Sequence, residues 1–136
     1  MTTPFAWPVR IYWEDTDAGG IVFYANYLKF FERSRTEWLR AKGIAQHELK
    51  QTSGGMFVVS DVQMRYLKSA CLDDELSITT TLLEAGRASM TVFQQAWLQS
   101  AEQPVLLCEA TIRAGWVDAN SRKPARIPHA ILDTLT

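Results

Sequence analysis

The stretch Asp15-Thr-Asp-Ala-Gly-Gly-Ile-Val-Phe-Tyr-Ala-Asn-Tyr-Leu-Lys-Phe-Phe-Glu-Arg-Ser-Arg-Thr-Glu-Trp-Leu-Arg-Ala-Lys42 decides the fold, because it passes abruptly from an acidic, glycine-bearing loop into a helical period. Glu14 to Gly20 reads as loop: acids, a threonine and a glycine pair in succession. From Asn26 to Lys42 the period is helical. Tyr27, Phe30, Phe31, Ser34, Trp38 and Ala41 share one face, with Leu28 and Leu39 at its margin. Gly43 suits the C-terminal stop, and Arg40 and Lys42 suit the negative end of the helix dipole. So aromatic a face predicts a helix embedded in a large core.

The flanking segments read as sheet. A first short strand is expected at Val9 to Trp13, after Pro8. Val62, Met64 and Tyr66 alternate with Gln63 and Arg65, and Asp73-Asp74 marks a turn. Leu76, Ile78, Thr80 and Leu82 follow with a period of two. Gly86-Arg87-Ala88-Ser89 turns into Met90 to Leu98, and Glu102-Gln103-Pro104 precedes Val105 to Val117. His47 falls in a short helix, and Ala130 to Leu135 forms a brief terminal one. The order is strand, long helix, then four long strands joined by short turns. This is an α+β solution with one helix against one antiparallel sheet. Strands with two apolar faces, Met90-Val92-Ala96 and Thr91-Phe93-Trp97, predict oligomerisation to cover what one helix cannot.

The 136 residues suit a single domain, 1–136, and the 47% hydrophobic content is enough for one core. A net charge of −1 gives no bulk attraction to nucleic acid or an anionic membrane. No apolar run approaches the ~20 residues of a membrane span, and the N-terminus lacks signal-peptide character, so a cytoplasmic protein is expected. Cys71 and Cys108 match no metal spacing and are expected to be buried free thiols.

Nucleophile elbows and phosphate loops are missing, and His47 and His129 adjoin no nucleophile. The acidic loop admits three readings. As a calcium loop it fails at the fifth place, Gly19, and the twelfth, Asn26, where a bidentate glutamate is needed. As a cap, its carboxylates face the positive end of the helix. As a catalytic loop, a carboxylate attacks an acyl carbon or activates a water, while free N–H groups near Phe23 to Ala25 receive the oxyanion. A thioester is reactive enough to need no histidine. The residues alone choose neither between the last two readings nor between Asp15 and Asp17.

Arg10 through Leu39, with its Asp-x-Asp-x-x-Gly-x-Val-x-x-x-x-Tyr pattern, strongly resembles the 4-hydroxybenzoyl-CoA thioesterase family. Trp7-Pro8-Val9-Arg10 and Phe30-Phe31-Glu32-Arg33-Ser34-Arg35 resemble its Tol–Pal-associated branch from Gram-negative bacteria. A looser likeness runs through Tyr66, Asp73-Asp74 and Val117-Asp118 to Lys123-Pro124. The resemblance implies a hotdog fold, an antiparallel sheet of about five strands wrapped around one long central helix, assembled as dimers and dimers of dimers (a homotetramer). It implies acyl-CoA hydrolysis without cofactor or metal, with Asp17 as catalytic carboxylate and the Tyr24 backbone N–H as oxyanion donor.

Asp15 and Asn26 would shape the loop, and Gly19, Gly20, Tyr66 and Arg87 would complete the substrate site. Arg65, Lys68, Lys123 and Arg126 join Arg87 as partners for the CoA phosphates, although Ala88 replaces a second basic residue found in some relatives. Tyr12, Trp13, Phe57 and Tyr66 are candidates to line the acyl pocket. CoA and an acyl-carrier protein both stand as thiol carriers. The competing functions are a hydratase of acyl thioesters, which would want a histidine near the loop, and a non-catalytic acyl-thioester-binding or scaffolding subunit.

Overall fold

A computed structural model describes residues 3–100 and 102–136. Strand β1 (Phe5–Arg10) leads through a 3-10 turn (Trp13–Asp15) to helix α1 (Asn26–Ala41) and helix α2 (Gln46–Ser53). Strands β2 (Gly55–Tyr66), β3 (Glu75–Ala85), β4 (Ser89–Leu98) and β5 (Val105–Asp118) follow, then helix α3 (His129–Leu135). The five strands form one antiparallel sheet in the order β1-β3-β4-β5-β2. It curves around α1, the hotdog arrangement.

The first strand sits earlier than its sequence suggests. Pro8 lies inside β1, opposite Ser77, and Trp13 belongs to the 3-10 turn. A proline survives there because β1 is an edge strand with β3 as its one partner. The connection from β2 to β3 is no short turn, because residues 67–74 must carry the chain from the β2 edge to a strand beside β1.

Helix α1 buries Tyr27, Phe30, Phe31, Ser34, Trp38 and Leu39. Each large apolar side chain there contributes roughly 1.5–3 kcal/mol relative to exposure. Leu39 and Ala41 exchange their expected places: Leu39 is buried and Ala41 exposed. The helix stops at Ala41, and Gly43, at φ +83°, turns the chain back so that the Ile44 N–H meets the Leu39 carbonyl.

The core-facing side of β4 carries Met90, Val92, Gln94 and Ala96. Gln94 is the surprise, a polar side chain with no exposed surface. Its Nε2 donates to the Phe31 carbonyl (2.9 Å) and to Thr80 Oγ1 (2.7 Å). Thr80 in turn shares a 2.7 Å hydrogen bond with Ser34, whose hydroxyl also donates to the Ile78 carbonyl. Satisfied in this way, the chain of polar groups tolerates burial.

Strand β2 is the other edge of the sheet. An irregularity at Ser60 keeps Phe57 and Val59 on the same face as Val62, Met64 and Tyr66, opposite the buried Trp116, Ala114, Ile112, Ala110 and Cys108. Val58, Val59 and Val62 nonetheless remain exposed. Cys108 is fully buried as expected, but Cys71 is exposed, in a lone bridge to Ile21 outside the sheet proper. No helix among the described residues is long and apolar enough to cross a membrane.

Candidate active site

The acidic loop is a tight, self-braced structure rather than a loose turn. Asp15 is buried, and its Oδ2 accepts the Tyr12 N–H at 2.8 Å. Its carbonyl accepts both the Phe23 N–H (3.0 Å) and the Asn26 side-chain amide (2.9 Å). Asp15 and Asn26 therefore brace the loop from beneath. Above them the Asp17 N–H donates to the Ile21 carbonyl and the Gly20 N–H to the Asp17 carbonyl. Gly20 adopts φ +81°, a left-handed conformation that a side chain would strain.

Asp17 is exposed. Its Oδ1 accepts the Gly19 N–H at 2.8 Å, an Asx-type turn, while Oδ2 accepts nothing from the described residues. The loop is tied to the connection after β2: the Val22 N–H donates to the Ala70 carbonyl, and the Ala70 N–H donates to the Tyr27 hydroxyl.

Where the loop enters α1, the N-cap is Ala25, which has no capping side chain. The Phe23 N–H is spent on Asp15, but the Tyr24 and Ala25 N–H groups meet no protein acceptor among the described residues. Unsatisfied donors at a helix start attract negative charge. The Tyr66 hydroxyl, at the end of β2, donates to the Tyr24 carbonyl at 3.1 Å. Because that carbonyl shares a peptide plane with the Ala25 N–H, Tyr66 fixes the orientation of this plane. The Tyr66 ring meets Tyr24 and Tyr27 edge-on, at 6.0 and 5.9 Å between centroids. Burial pushes both Tyr66 and Tyr27 above the usual phenol range, so both hydroxyls stay protonated.

These groups enclose a hollow of about 250 Å³ lined by Asp17, Val22, Tyr24, Tyr27, Tyr66 and Lys68. Of the aromatic residues singled out for the acyl pocket, Tyr66 alone borders it. Phe57 packs on Trp116 at the other end of β2, and Tyr12 and Trp13 face a separate surface hollow beside Leu72. Tyr27 was legible in the sequence as a core residue, and no local signal marked it as a pocket wall.

The basic candidates divide. Lys68 borders the hollow, whereas Arg65 points to the outer side of β2 and pairs with Glu109. Arg87 lies at the far end of the sheet. Tyr66 is level with Cys108 and Ala96, and Arg87 stands in the turn before Ser89. The seven steps from Ser89 to Ala96 span about 23 Å at ~3.3 Å each. Lys123 and Arg126 share the Arg87 end, where the Ile127 N–H donates to the Arg87 carbonyl. His47 and His129 are exposed on α2 and α3, away from Asp17, and the described residues hold no metal-ligand cluster.

Comparison with known proteins adds to this geometry. Residues 11–135 match the family model described as the thioesterase-like superfamily. The acyl-CoA thioesterase YbgC of Haemophilus influenzae is 39% identical over 127 residues, spanning 93% of this chain and 90% of its own. The acyl-CoA thioester hydrolase YbgC of Escherichia coli O6:H1 is 42% identical over 131 residues, 96% of this chain and 95% of its own. A 4-hydroxybenzoyl-CoA thioesterase variant, solved with 4-hydroxybenzoyl-CoA, superposes with a TM-score of 0.89 over 96% of this chain and 97% of its own. At 17% identity it speaks for the fold. With a family match over nearly its whole length and the sheet-wrapped helix to go with it, the chain belongs to the thioesterase-like superfamily, as a thioester hydrolase of the hotdog fold.

Proposed function

We propose that the protein hydrolyses acyl-CoA thioesters to free acid and CoA, with Asp17 as the reacting carboxylate and the Tyr24 backbone N–H as oxyanion donor. The observation that carries this reading is the meeting of an exposed carboxylate and an open helix start in one hollow. The likeness to relatives named as acyl-CoA thioesterases supports the substrate class.

In the general-base form, Asp17 takes a proton from water as the water oxygen bonds to the thioester carbon. Negative charge gathers on the former carbonyl oxygen and is met by the Tyr24 N–H. The carbon–sulfur bond then breaks, and the proton held by Asp17 goes to the departing sulfur. In the nucleophilic form, the carboxylate itself expels the CoA thiolate, and water cleaves the resulting anhydride. Either form uses Oδ2, since Oδ1 is engaged with Gly19.

Gly19 and Gly20 keep the loop backbone low beside the thioester, and Asp15 and Asn26 hold it in place. The remote Arg87 fits a shared site. Two copies joined through their β2 edges in antiparallel fashion would bring the Arg87 end of one beside the Tyr66 end of the other. The CoA phosphates would then bridge subunits. The exposed Val58, Val59 and Val62 of β2 support such a homodimer, the building block of a dimer of dimers.

The test is free-thiol release from short, long and aromatic acyl-CoA thioesters, with acyl-carrier-protein thioesters alongside, by wild type and Asp17→Asn. An asparagine keeps the Oδ1 acceptor for Gly19, so the fold is retained. Turnover is expected to fall by roughly 10²–10⁴, the range for losing a positioned base. An Asn variant with near wild-type turnover would remove Asp17 from the chemistry. A wild type that releases no thiol from any member would leave acyl-thioester binding as the function.

A further inference from the structure

A hollow of about 280 Å³ lies where β1, the 3-10 turn and α1 meet, and it shares no lining residue with the hollow at Asp17. Strand β1 contributes Trp7 and Arg10, the turn contributes Tyr12, Glu14 and Asp15, and α1 contributes Arg33.

The protein leaves charged groups here without partners. Asp15 is only 6% exposed, and its Oδ2 accepts the Tyr12 N–H. Its Oδ1 accepts nothing from the described residues. No fully buried side-chain oxygen among them lacks a partner, so this atom reaches open space, and Asp15 borders the hollow. A carboxylate buried this deeply carries a desolvation cost that an arriving donor would offset. Arg33 is the complement. Among the described residues the ion pairs are Arg10–Glu75, Arg40–Glu37 and Arg65–Glu109, so no carboxylate lies within 4 Å of the Arg33 guanidinium. It rests over the Phe30 ring instead, 5.7 Å from the centroid. Glu14 is likewise without an ion-pair partner there. Arg10, by contrast, is spent, with Nη2 on Glu75 and Nη1 on the Asp73 carbonyl. The hollow thus offers two free carboxylates and one free guanidinium beside the aromatic Trp7 and Tyr12.

We infer that this hollow binds a small zwitterion of the amino-acid class. Its ammonium meets Asp15 and Glu14, its carboxylate meets Arg33, and an apolar side chain lies against Trp7 and Tyr12. An ammonium brings three donors to oxygens that lack them, and Trp and Tyr faces favour a cation. A guanidinium fork matches the two oxygens of a carboxylate. A dianionic phosphate would bring its charge up against two acids. An extended peptide is opposed by Pro8, which gives the edge strand β1 no N–H at that position. The volume is that of roughly nine liquid waters, room for a single amino acid. The site does not depend on the role proposed for Asp17.

The experiment is isothermal titration of the purified protein with L-leucine and L-phenylalanine. Their N-acetyl forms, which lack the ammonium, and their amides, which lack the carboxylate, are the counterparts. Binding of one amino acid, with both of its blocked forms at least about tenfold weaker, is the expected result for charged hydrogen bonds at each end. Arg33→Met should weaken the amino acid by about as much and bring it level with its amide. Asp15→Asn should lose binding; Glu14→Gln, on an exposed side chain, should weaken it several-fold and serves if Asp15→Asn fails to fold. Asp17→Asn should bind as wild type does. The inference is overturned if neither amino acid binds, or if a blocked form binds equally. It is also overturned if Arg33→Met, Asp15→Asn or Glu14→Gln binds unchanged, or if binding is lost in Asp17→Asn. Dissociation of the oligomer in Arg33→Met would mean that a second copy covers the hollow, and would overturn it too.

Discussion

Replacing Gly55 with alanine tests whether the start of β2 is held by a close approach to Trp116. A Cβ at Gly55 would stand 2.4 Å from Cζ2, 2.5 Å from Cε2 and 2.6 Å from Nε1 of that indole. Comfortable carbon contacts begin near ~3.5 Å, so ring or strand must give by about 1 Å. The ring cannot move freely: Trp116 is 3% exposed and stands edge-on to Phe57 at 4.9 Å. Overpacking of this kind costs about 1–3 kcal/mol, and the severity here points to the upper half of that range. At ~2.1 cal/mol/K per residue, unfolding entropy is about 0.29 kcal/mol/K for this chain. Gly55→Ala should therefore lower Tm by roughly 7–10 °C, measured at fixed protein concentration.

Gly115→Ala is the control. On the adjacent strand, its Cβ would meet nothing nearer than the Ala88 and Val58 carbonyl oxygens at 4.0 Å. That variant should melt within about 3 °C of wild type, on the stable side through the lost freedom of its unfolded chain. Equal losses in both variants would refute the steric account, as would a Gly55→Ala protein that melts like wild type.

Cys108, pushed up to about 12 chiefly by burial, should resist a thiol reagent at neutral pH, while the exposed Cys71 reacts. The native chain is expected to label once, and the denatured chain twice. Tyr66→Phe removes the hydroxyl that holds the Tyr24–Ala25 peptide; stability should fall by about 0.5–1.5 kcal/mol, and kcat should fall several-fold with KM little changed. A kcat equal to wild type would show that the peptide needs no such tether. Asp118 is held below the usual carboxylate range by the Ser121 N–H first and also by that of Asn120. Its contribution to stability is present above the unfolded carboxylate value near ~3.9 and is lost as pH falls through the depressed folded value. The Tm gap between wild type and Asp118→Asn should therefore close as melts are taken from pH 6 down to pH 2.

The helix and most strands could be read from the sequence because their burial is periodic: Tyr27 to Trp38 at helical spacing, Leu76 to Leu82 and Met90 to Ala96 at spacing two. Gly55 to Ser60 escaped because the bulge at Ser60 shifts the alternation by one, so that Val59 and Val62 share a face although they stand three apart in the sequence. Gln94 escaped because its burial depends on Ser34, Thr80 and Arg35, which only the folded chain assembles. Composition could not separate Asp15 from Asp17; the distinction is that one carboxylate turns inward to a backbone N–H and the other borders the hollow. Arg87 looked local to the site because a turn sequence carries no information about which end of the sheet it will occupy. Cys71 looked buried beside Ala70 and Leu72, yet it follows the end of the apolar packing.

The polar chain through Ser34, Thr80 and Gln94 acts on α1 as an index pin acts on a shaft. An aromatic face pressed against a sheet resists separation but resists sliding poorly, because burial has no direction. Hydrogen bonds do, and these key one rotational setting of the helix to β3 and β4. Slipping the helix by a single residue would shift it by about 1.5 Å and turn it by about 100°. Its first residue, about 12 Å from Ser34, would then present a different N–H group to the hollow beside Asp17. Polar atoms placed deep in the core in this way set the aim of the helix end at the surface.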